Sequence, residues 1–211
     1  NVGRLPAIEL MSPRAHETVL DVGCGAGWVT RRIARSGAKV LAFDRSHEML
    51  EQASSAERNK PLGTTYWIGD LTKKWEVTNQ SVDCVSCIAV VMHVTPEELQ
   101  HFFREARRVL RPGRRVVVSN THCDVLRLQQ EAGLKPGWCY HVKAKPWNSD
   151  GSVEAVEHYF DGSGSEFVAP VWFHDLQKSA ERSGFNIKEA HDRIVTRESL
   201  TEIYGERAKD W

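Results

Sequence analysis

Three glycines at alternate positions, Gly23, Gly25 and Gly27, follow the apolar run Thr18–Val22. Glycine lets a ligand approach bare backbone, and a helix predicted over 28–36 would direct its first N–H groups at a negative group. The dinucleotide-binding fingerprint needs G-x-G-x-x-G, whereas the spacing here is G-x-G-x-G with an indole at position 28. The loop therefore predicts a ligand site, and by itself it does not identify the ligand.

Carboxylates accompany three predicted strands, at the edge where parallel α/β sheets bind their ligands. Asp21 lies within the first strand, Asp44 ends the second and Asp70 follows the third. Asp44 is placed to accept hydrogen bonds from a pair of ribose hydroxyls. Its structural alternative is a negative charge at the N-terminus of the next helix.

Two histidines follow the next two strands and are candidate general bases. His93 follows the fourth strand, and His122 follows the fifth at the same edge of the sheet, where a base with a pKa near neutral could act. The alternative for His93 is a half-buried ring hydrogen-bonded to backbone. The alternative for His122 is a loop side chain in solvent.

We expect no metal site, although the chain has nine histidines and the pair Cys84-x-x-Cys87. On a strand, positions three apart face opposite sides, so the two thiols cannot bind one ion without a bulge. No Ser-His-Asp order and no nucleophile elbow is present either.

Alternating strands and helices must position these residues. Strands are predicted over 18–22, 39–43, 65–68, 82–89 and 115–119, and helices over 28–36, 47–59 and, after the capping box Thr95/Glu98, from Pro96 to a stop at 111–113. This alternation implies a mainly parallel sheet with helices on both faces. Later elements are less regular. We predict a helical piece near 124–132, an irregular aromatic stretch over 133–151, a hairpin over 153–160 and 166–173, a helix from His174 or Asp175, and a strand over 185–190.

Residues 19–27, VLDVGCGAG, resemble motif I of the class I S-adenosylmethionine-dependent methyltransferases. The similarity extends in the family's order over roughly residues 18–120, through segments 42–44, 46–50, 69–71, 81–85, 91–94 and 108–113. It implies a Rossmann-like, doubly wound, mainly parallel sheet of the seven-stranded type, with an aromatic-rich insertion after strand five. It also implies that the chain belongs to the branch of the family that methylates small molecules.

The resemblance implies roles for individual residues. The three glycines would hold the amino-acid part of S-adenosylmethionine, with Asp21 orienting the loop, while Asp44 would hold the ribose and Asp70 the adenine amino group. Arg45 and Met49 would pack near the adenine, Leu71 would offer backbone to it, and the backbone at Cys87 would face the methionine moiety. The implied cofactor-binding set is Asp21, Gly23, Gly25, Gly27, Asp44, Arg45, Met49, Asp70, Leu71 and Cys87.

The region 133–173 is far richer in aromatic residues than the chain's 9% average. Packing of a lid would explain this, and so would an apolar pocket for the methyl acceptor, which we favour. The candidate substrate residues are Tyr140, His141, Trp147 and Trp172. The expected reaction is in-line transfer of the methyl group to an oxygen or nitrogen of a small, aromatic or otherwise apolar metabolite, with His93 or His122 assisting deprotonation and S-adenosylhomocysteine as product.

Other functions stay open at this point. A non-catalytic S-adenosylmethionine-binding regulatory or partner protein is the main alternative. An RNA or peptide methyltransferase is less favoured, because the aromatic region has few basic residues. The glycine spacing and Asp70 argue against a nicotinamide-dependent oxidoreductase.

Composition restricts the class of protein. The chain has 211 residues, with 28 Lys+Arg against 28 Asp+Glu, which argues against general duplex binding but allows a local basic patch. Five irregularly spaced cysteines favour reduced thiols and a cytoplasmic location, and no apolar run suggests a membrane span. We expect one methyltransferase domain, divided into an N-terminal cover over 1–17 interrupted by Pro6 and Pro13, a cofactor-binding core over 18–120, an acceptor-binding insertion or lid over 121–173, and a helix, strand and tail over 174–211. The start at Asn1 fits a truncated, processed or partial chain, and the oligomeric state is open.

Overall fold

The computed structural model describes residues 4–119, 141–144, 156–160, 164–168 and 173–188. In chain order the elements are α1 Arg4–Met11, β1 Thr18–Val22, α2 Trp28–Ala34, β2 Lys39–Asp44, α3 His47–Asn59, β3 Thr65–Ile68, β4 Val82–Ile88, a 3₁₀ helix Val91–His93, α4 Pro96–Val109, β5 Leu110–Ser119, β6 His141–Ala144, β7 Val156–Phe160, β8 Gly164–Val168 and α5 Phe173–Arg182.

The main sheet has five strands in the order β3-β2-β1-β4-β5, and every neighbouring pair is parallel. This confirms the parallel α/β architecture predicted from the alternation of elements. A second sheet, β6-β7-β8, is antiparallel. The order of the main sheet reverses between β1 and β4, because the chain runs outward from β1 to β3 and then returns to start β4. A crevice at the carboxyl ends of β1 and β4 is where such sheets bind ligands.

Side chains of the central strands alternate between two cores, one on each face of the sheet. On one face Val19 and Cys84 pack with α1 and α2, and on the other Leu20 and Cys87 pack with α4. Cys84 and Cys87 therefore face opposite sides of β4, as the period of a strand requires. Both faces of β1 and β4 are covered, so every residue of the two strands except Thr18 is buried.

Helix α4 begins as its sequence predicts. Thr95 Oγ1 accepts from the Glu98 N–H at 3.3 Å, and Glu98 Oε2 accepts from the Thr95 N–H at 2.8 Å, while Pro96 takes the first helical position. The capping box thereby satisfies two N–H groups that have no partner within the helix. The helix ends at Val109, and its apolar face carries Phe102 and Phe103 into the core.

The prediction that Pro6 interrupts the N-terminal segment is wrong. Pro6 lies in the first turn of α1, where a missing N–H breaks no hydrogen bond of the helix. Met11 is fully buried in the core shared with α2, β4 and β5. Arg115 stabilises the C-terminal end of α1 by donating hydrogen bonds to the carbonyl oxygens of Met11 and Ser12.

Several later elements differ from their predicted bounds or type. Strand β5 starts at Leu110, not at position 115, because Leu110 already pairs with Val82 across an irregularity in the ladder. The stretch predicted as irregular contains β6. The hairpin is confirmed, but its second strand is Gly164–Val168 instead of 166–173, and α5 begins at Phe173. Residues 185–188 form no strand within the described chain; Phe185 instead packs against Phe103 of α4. The predicted helix near 124–132 lies outside the described residues.

Glu17 should contribute stability in a pH-dependent way. Its side chain is almost fully buried, and its two oxygens accept from both terminal nitrogens of Arg115 at 2.8 Å. Hydrogen bonding to Arg115 is the main reason that the pKa of Glu17 falls to about 2. Because the folded pKa is depressed, this stability is present above the unfolded pKa and is lost as the pH falls through the folded one. We expect Glu17→Gln to lower the free energy of unfolding by about 2–4 kcal/mol at pH 7 and by clearly less at pH 3, measured by urea denaturation.

Exposed Glu9 on α1 provides the matched control, and Glu9→Gln should leave the stability unchanged at both pH values. An equal loss for Glu17→Gln at pH 7 and pH 3 would contradict an ionic role for Glu17.

Candidate functional site

The loop between β1 and α2 is held against β2 by its backbone. The N–H groups of Gly23 and Cys24 both donate to the carbonyl oxygen of Phe43, at 2.9 and 3.0 Å. Gly25 has a φ of +54°, and a Cβ added there would meet nothing within 4 Å. The loop therefore presents bare backbone to open space at Gly25, as the sequence predicts for a ligand-binding turn.

Asp44 joins this loop to the next helix. Its Oδ2 accepts from the Gly25 N–H at 2.7 Å, and its Oδ1 accepts from the N–H of Ser46, the N-cap of α3, at 2.9 Å. Each carboxylate oxygen can accept a second hydrogen bond, so the side chain keeps capacity for ligand hydroxyls. Asp44 therefore lies both at the start of a helix and beside the glycine loop, so the two interpretations of its position are compatible.

Asp21 lies beneath the loop and is fully buried. Its carboxylate accepts from the hydroxyl of Thr30, on the first turn of α2, at 2.6 Å. Burial raises the pKa of Asp21 to about 6, although the hydrogen bond from Thr30 offsets part of that rise and the nearby charge of Asp44 adds to it. Asp21 therefore ties β1 to the helix that the glycine loop leads into.

Asp70 lies beyond the end of β3, next to the end of β2. The Gly69 N–H donates to the carbonyl oxygen of Asp44 at 3.0 Å, and Asp70 Oδ1 accepts from the Thr72 N–H at 2.8 Å in a local turn. Leu71 is buried, and its carbonyl oxygen accepts from the indole N–H of Trp75 at 3.2 Å. The Leu71 carbonyl is therefore engaged within the protein.

Arg45, which follows Asp44 directly, and Met49, in the first turn of α3, both lie on the surface, with Met49 38% exposed. Cys87 differs from both, since it lies within β4 and its thiol is fully buried in the core on the α4 side. Burial raises the pKa of the Cys87 thiol, so the side chain stays protonated and unreactive. Any contact between Cys87 and a ligand must come from its backbone.

His93 closes a short turn at the other side of the crevice. The turn follows β4 directly, and the His93 N–H donates to the carbonyl oxygen of Val90 at 3.0 Å. Ala89 precedes the turn with a φ of +60°, a left-handed conformation that costs a residue with a Cβ about 1–2 kcal/mol. Such strain is concentrated at functional sites, where the surrounding structure holds it.

Residues 19–113 match the family described as "Methyltransferase domain". The N-demethylindolmycin N-methyltransferase of Streptomyces griseus is 32% identical over 112 residues, which are 53% of this chain and 47% of the relative. The demethylmenaquinone methyltransferase of Tropheryma whipplei is 36% identical over 118 residues, 54% of this chain and 46% of the relative. By this match, residues 19–113 form a methyltransferase domain of the class I S-adenosylmethionine-dependent type.

The fold agrees with this family assignment. A solved S-adenosylmethionine dependent methyltransferase from Mesorhizobium loti has a TM-score of 0.68 and 22% identity over 97% of this chain and 90% of that one. Membership of the methyltransferase family implies binding of S-adenosylmethionine or S-adenosylhomocysteine. The chain spans less than half the length of the two curated relatives above.

The structure brings together one part of the predicted methyltransferase site. Asp21, Asp44 and Asp70 accompany the glycine loop at the carboxyl ends of β1, β2 and β3. Of the predicted acceptor residues, His141 is described only as the first residue of β6, opposite Tyr159. The other three, Tyr140, Trp147 and Trp172, lie outside the described residues, as does the candidate base His122.

Three contacts of the site were not predicted from the sequence. Thr30 holds Asp21, Val90 lies against Gly23, and the hydroxyl of Tyr66 lies 2.7 Å from where a Cβ on Gly27 would be. No sequence signal indicates them, because each joins residues from different elements. A groove of about 960 Å³ between α3 and β3 is lined by none of the predicted site residues and so is not this site.

The described residues contain neither a metal-binding cluster nor a membrane-spanning helix. No three His, Cys, Asp or Glu side chains in this part of the chain are grouped to hold a metal ion. None of the helices in the described ranges is long and apolar enough to cross a bilayer.

Asp21 should destabilise the fold at neutral pH. Its folded pKa of about 6 lies above the ordinary value of 3.8, so ionisation costs stability as the pH rises through this range and the full cost is present above it. We expect Asp21→Asn, which keeps an acceptor for Thr30, to raise the free energy of unfolding by about 2–3 kcal/mol at pH 8 and to have little effect at pH 4. Urea denaturation at the two pH values measures this.

Asp83→Asn is the matched control, since Asp83 is also a buried aspartate of this sheet. Burial raises the pKa of Asp83, but hydrogen bonds from the Thr18 N–H and Arg111 outweigh it and hold the pKa below its ordinary value. Asp83→Asn should therefore destabilise at pH 8. A loss of stability for Asp21→Asn at pH 8 would show that Asp21 is not a strained carboxylate.

Proposed function

We propose that this methyltransferase domain transfers the methyl group of S-adenosylmethionine to an oxygen or nitrogen of a small, aromatic or otherwise apolar acceptor. The observation that carries the proposal is the Asp44 carboxylate, which is hydrogen-bonded to the Gly25 backbone at the carboxyl edge of the sheet. The carboxylate and the bare glycine backbone there suit a ligand that offers hydroxyl and ammonium groups.

The residues present fit this cofactor. Asp44 retains acceptor capacity for ribose hydroxyls, and the open face of Gly25 leaves room for the cofactor against the loop. Residues 22–28 contain no lysine or arginine, which agrees with a cofactor that carries no phosphate. Asp70, beyond the end of β3, is suited to the adenine amino group, while exposed Met49 offers an apolar surface in the first turn of α3, the helix that follows Asp44.

Bound S-adenosylmethionine supplies an electrophilic methyl group, which the acceptor's lone pair takes as the sulfur–carbon bond breaks and its electron pair stays on sulfur. The protein's task is then chiefly alignment, because an in-line displacement depends on the relative position of acceptor and methyl group. An acceptor hydroxyl or ammonium must also lose a proton. We assign its removal to His93 or His122, since imidazole accepts protons near neutral pH.

The acceptor class rests on the relatives and on composition. The two relatives reported above are named for methylation of N-demethylindolmycin and of demethylmenaquinone, both small molecules. The aromatic residues over 133–173, including the candidates Tyr140, His141, Trp147 and Trp172, support an apolar acceptor pocket. The alternative of a non-catalytic cofactor-binding protein requires the same cofactor site and no turnover.

Calorimetric titration with S-adenosylmethionine, S-adenosylhomocysteine and NAD tests the proposed cofactor. We expect the first two to bind and NAD not to bind. Asp44→Ala should weaken binding of both by about 1–3 kcal/mol, which is roughly 5- to 150-fold, because it removes buried hydrogen bonds to the ligand and to Gly25.

Glu48→Ala is the control for this titration. It removes a negative charge from the exposed first turn of α3 without touching the glycine loop, and it should leave both dissociation constants unchanged. Absence of binding to the unmodified chain would overturn the proposed function, and an unchanged constant for Asp44→Ala would remove Asp44 from the site.

Turnover with an acceptor found by screening aromatic hydroxyls and amines tests the base. Loss of the base in His93→Ala or in His122→Ala should lower turnover by about 10²- to 10⁴-fold and remove the limb of the pH–rate profile near neutral pH, while cofactor affinity stays unchanged. His101→Ala is the control, because this half-buried histidine of α4 contacts the carbonyl oxygen of Lys73 and was not predicted as a site residue. Full activity in both variants would exclude a histidine base, and cofactor binding without any turnover would favour the non-catalytic alternative.

A further inference from the structure

Two segments form the sides of the crevice between β1 and β4. One side is the glycine loop that follows β1, starting at Gly23, and the other is the segment 89–93 that follows β4 and ends at His93. The strand order reverses here, so a ligand of this sheet must pass between them. Any side chain that spans the crevice limits what can bind in it.

Val90 is such a side chain. A Cβ added to Gly23 would lie 2.6 Å from Val90 Cγ2 and 2.8 Å from Cγ1, so both methyl groups of Val90 lie directly against the Gly23 backbone. Val90 is half-buried and also contacts the core on the α4 side of the sheet. A β-branched side chain has few rotamers, so its position here is well fixed.

The backbone before Val90 is held in an unusual conformation that places this contact. Ala89 has a φ of +60°, and its N–H donates to the carbonyl oxygen of Ser119 on β5 at 2.7 Å. Few residues with a Cβ adopt this region, and where they do the surrounding structure maintains it. The strained residue turns the chain out of β4, and Val90 is the next residue.

We propose that Val90 sets the size of the alkyl group that the cofactor's sulfur can carry, and so determines specificity for methyl transfer. This inference rests on the proposed function. The adenosine half of the cofactor is assigned to Asp44 and Asp70, at the ends of β2 and β3. The remaining half, with the sulfur, would then extend towards the end of β4, beyond which Val90 lies against Gly23. Because Val90 has no polar side-chain atom, it acts through its volume alone.

Calorimetry with three ligands tests this without an acceptor: S-adenosylhomocysteine, S-adenosylmethionine and S-adenosylethionine carry no group, a methyl and an ethyl on the same sulfur. In the unmodified chain we expect the ethyl ligand to bind about tenfold or more weakly than the methyl ligand, the usual effect of one extra methylene in a tight site. Val90→Ala should bring these two dissociation constants within about threefold of each other, since the room gained exceeds one methylene. Binding of S-adenosylhomocysteine should stay close to its original value. Val90→Ile should increase the discrimination.

Val91→Ala is the matched control. It removes the same atoms from the next residue, which is fully buried in the core, and it should lower stability without changing the ethyl-to-methyl ratio. An unchanged ratio in both Val90→Ala and Val90→Ile, or an equal change in Val91→Ala, would overturn the role of Val90 while leaving the proposed function intact. Failure of the unmodified chain to bind any of the three ligands would instead overturn the proposed function.

Discussion

The Asp44 carboxylate is the interaction on which the rest of the site depends. A single side chain accepts one backbone N–H from the glycine loop and another from the N-cap of α3, at 2.7 and 2.9 Å. Hydrogen bonds to an ionised acceptor are about twice as strong as neutral ones, so this carboxylate fixes the relative position of two loops that belong to different strands. Because the loop lacks side chains at its glycines, its shape depends on such contacts from its neighbours.

Two residues of the site lower the stability of the fold while they hold the site in its shape. Asp21 is ionisable and fully buried, and Ala89 has a left-handed backbone. A sequence selected for stability alone would replace both, with an uncharged residue and with glycine. Both residues lie beside one crevice. This indicates that the requirements of the crevice, rather than those of the core, explain why these two destabilising residues are present. The core beneath is ordinary by comparison, with apolar residues packed on both faces of β1 and β4.

The sequence predicted those parts of the fold that local chemistry determines. The alternation of strands and helices, the capping box of Thr95 and Glu98, and the turn at the glycine loop each depend on residues close together in the chain, and each is present. The prediction that Pro6 interrupts the N-terminal segment is wrong because the effect of a proline depends on its position in the helix. The contacts of Val90 with Gly23 and of Thr30 with Asp21 could not be predicted, since they depend on how separate elements pack. The ligand-binding roles taken from the family resemblance stay predictions for all ten residues from Asp21 to Cys87, because position alone does not establish what a residue binds.

A largely buried ion pair extends this support to the β3 side of the site. Arg31 of α2 donates to Glu57 of α3 at 2.6 Å and to the carbonyl oxygen of Lys60, while the other oxygen of Glu57 accepts from the backbone N–H groups of residues 62–64. Burial raises the pKa of Glu57, but the hydrogen bonds from these backbone groups and the charge of Arg31 outweigh it, so the pKa lies below its ordinary value and the pair stays ionised. Removing either partner would leave a buried charge uncompensated, which makes the pair a constraint on position more than a source of stability. Since residues 62–64 lead directly into β3, the pair fixes where that strand begins. Asp70, beyond the other end of β3, is thereby held in register with Asp44.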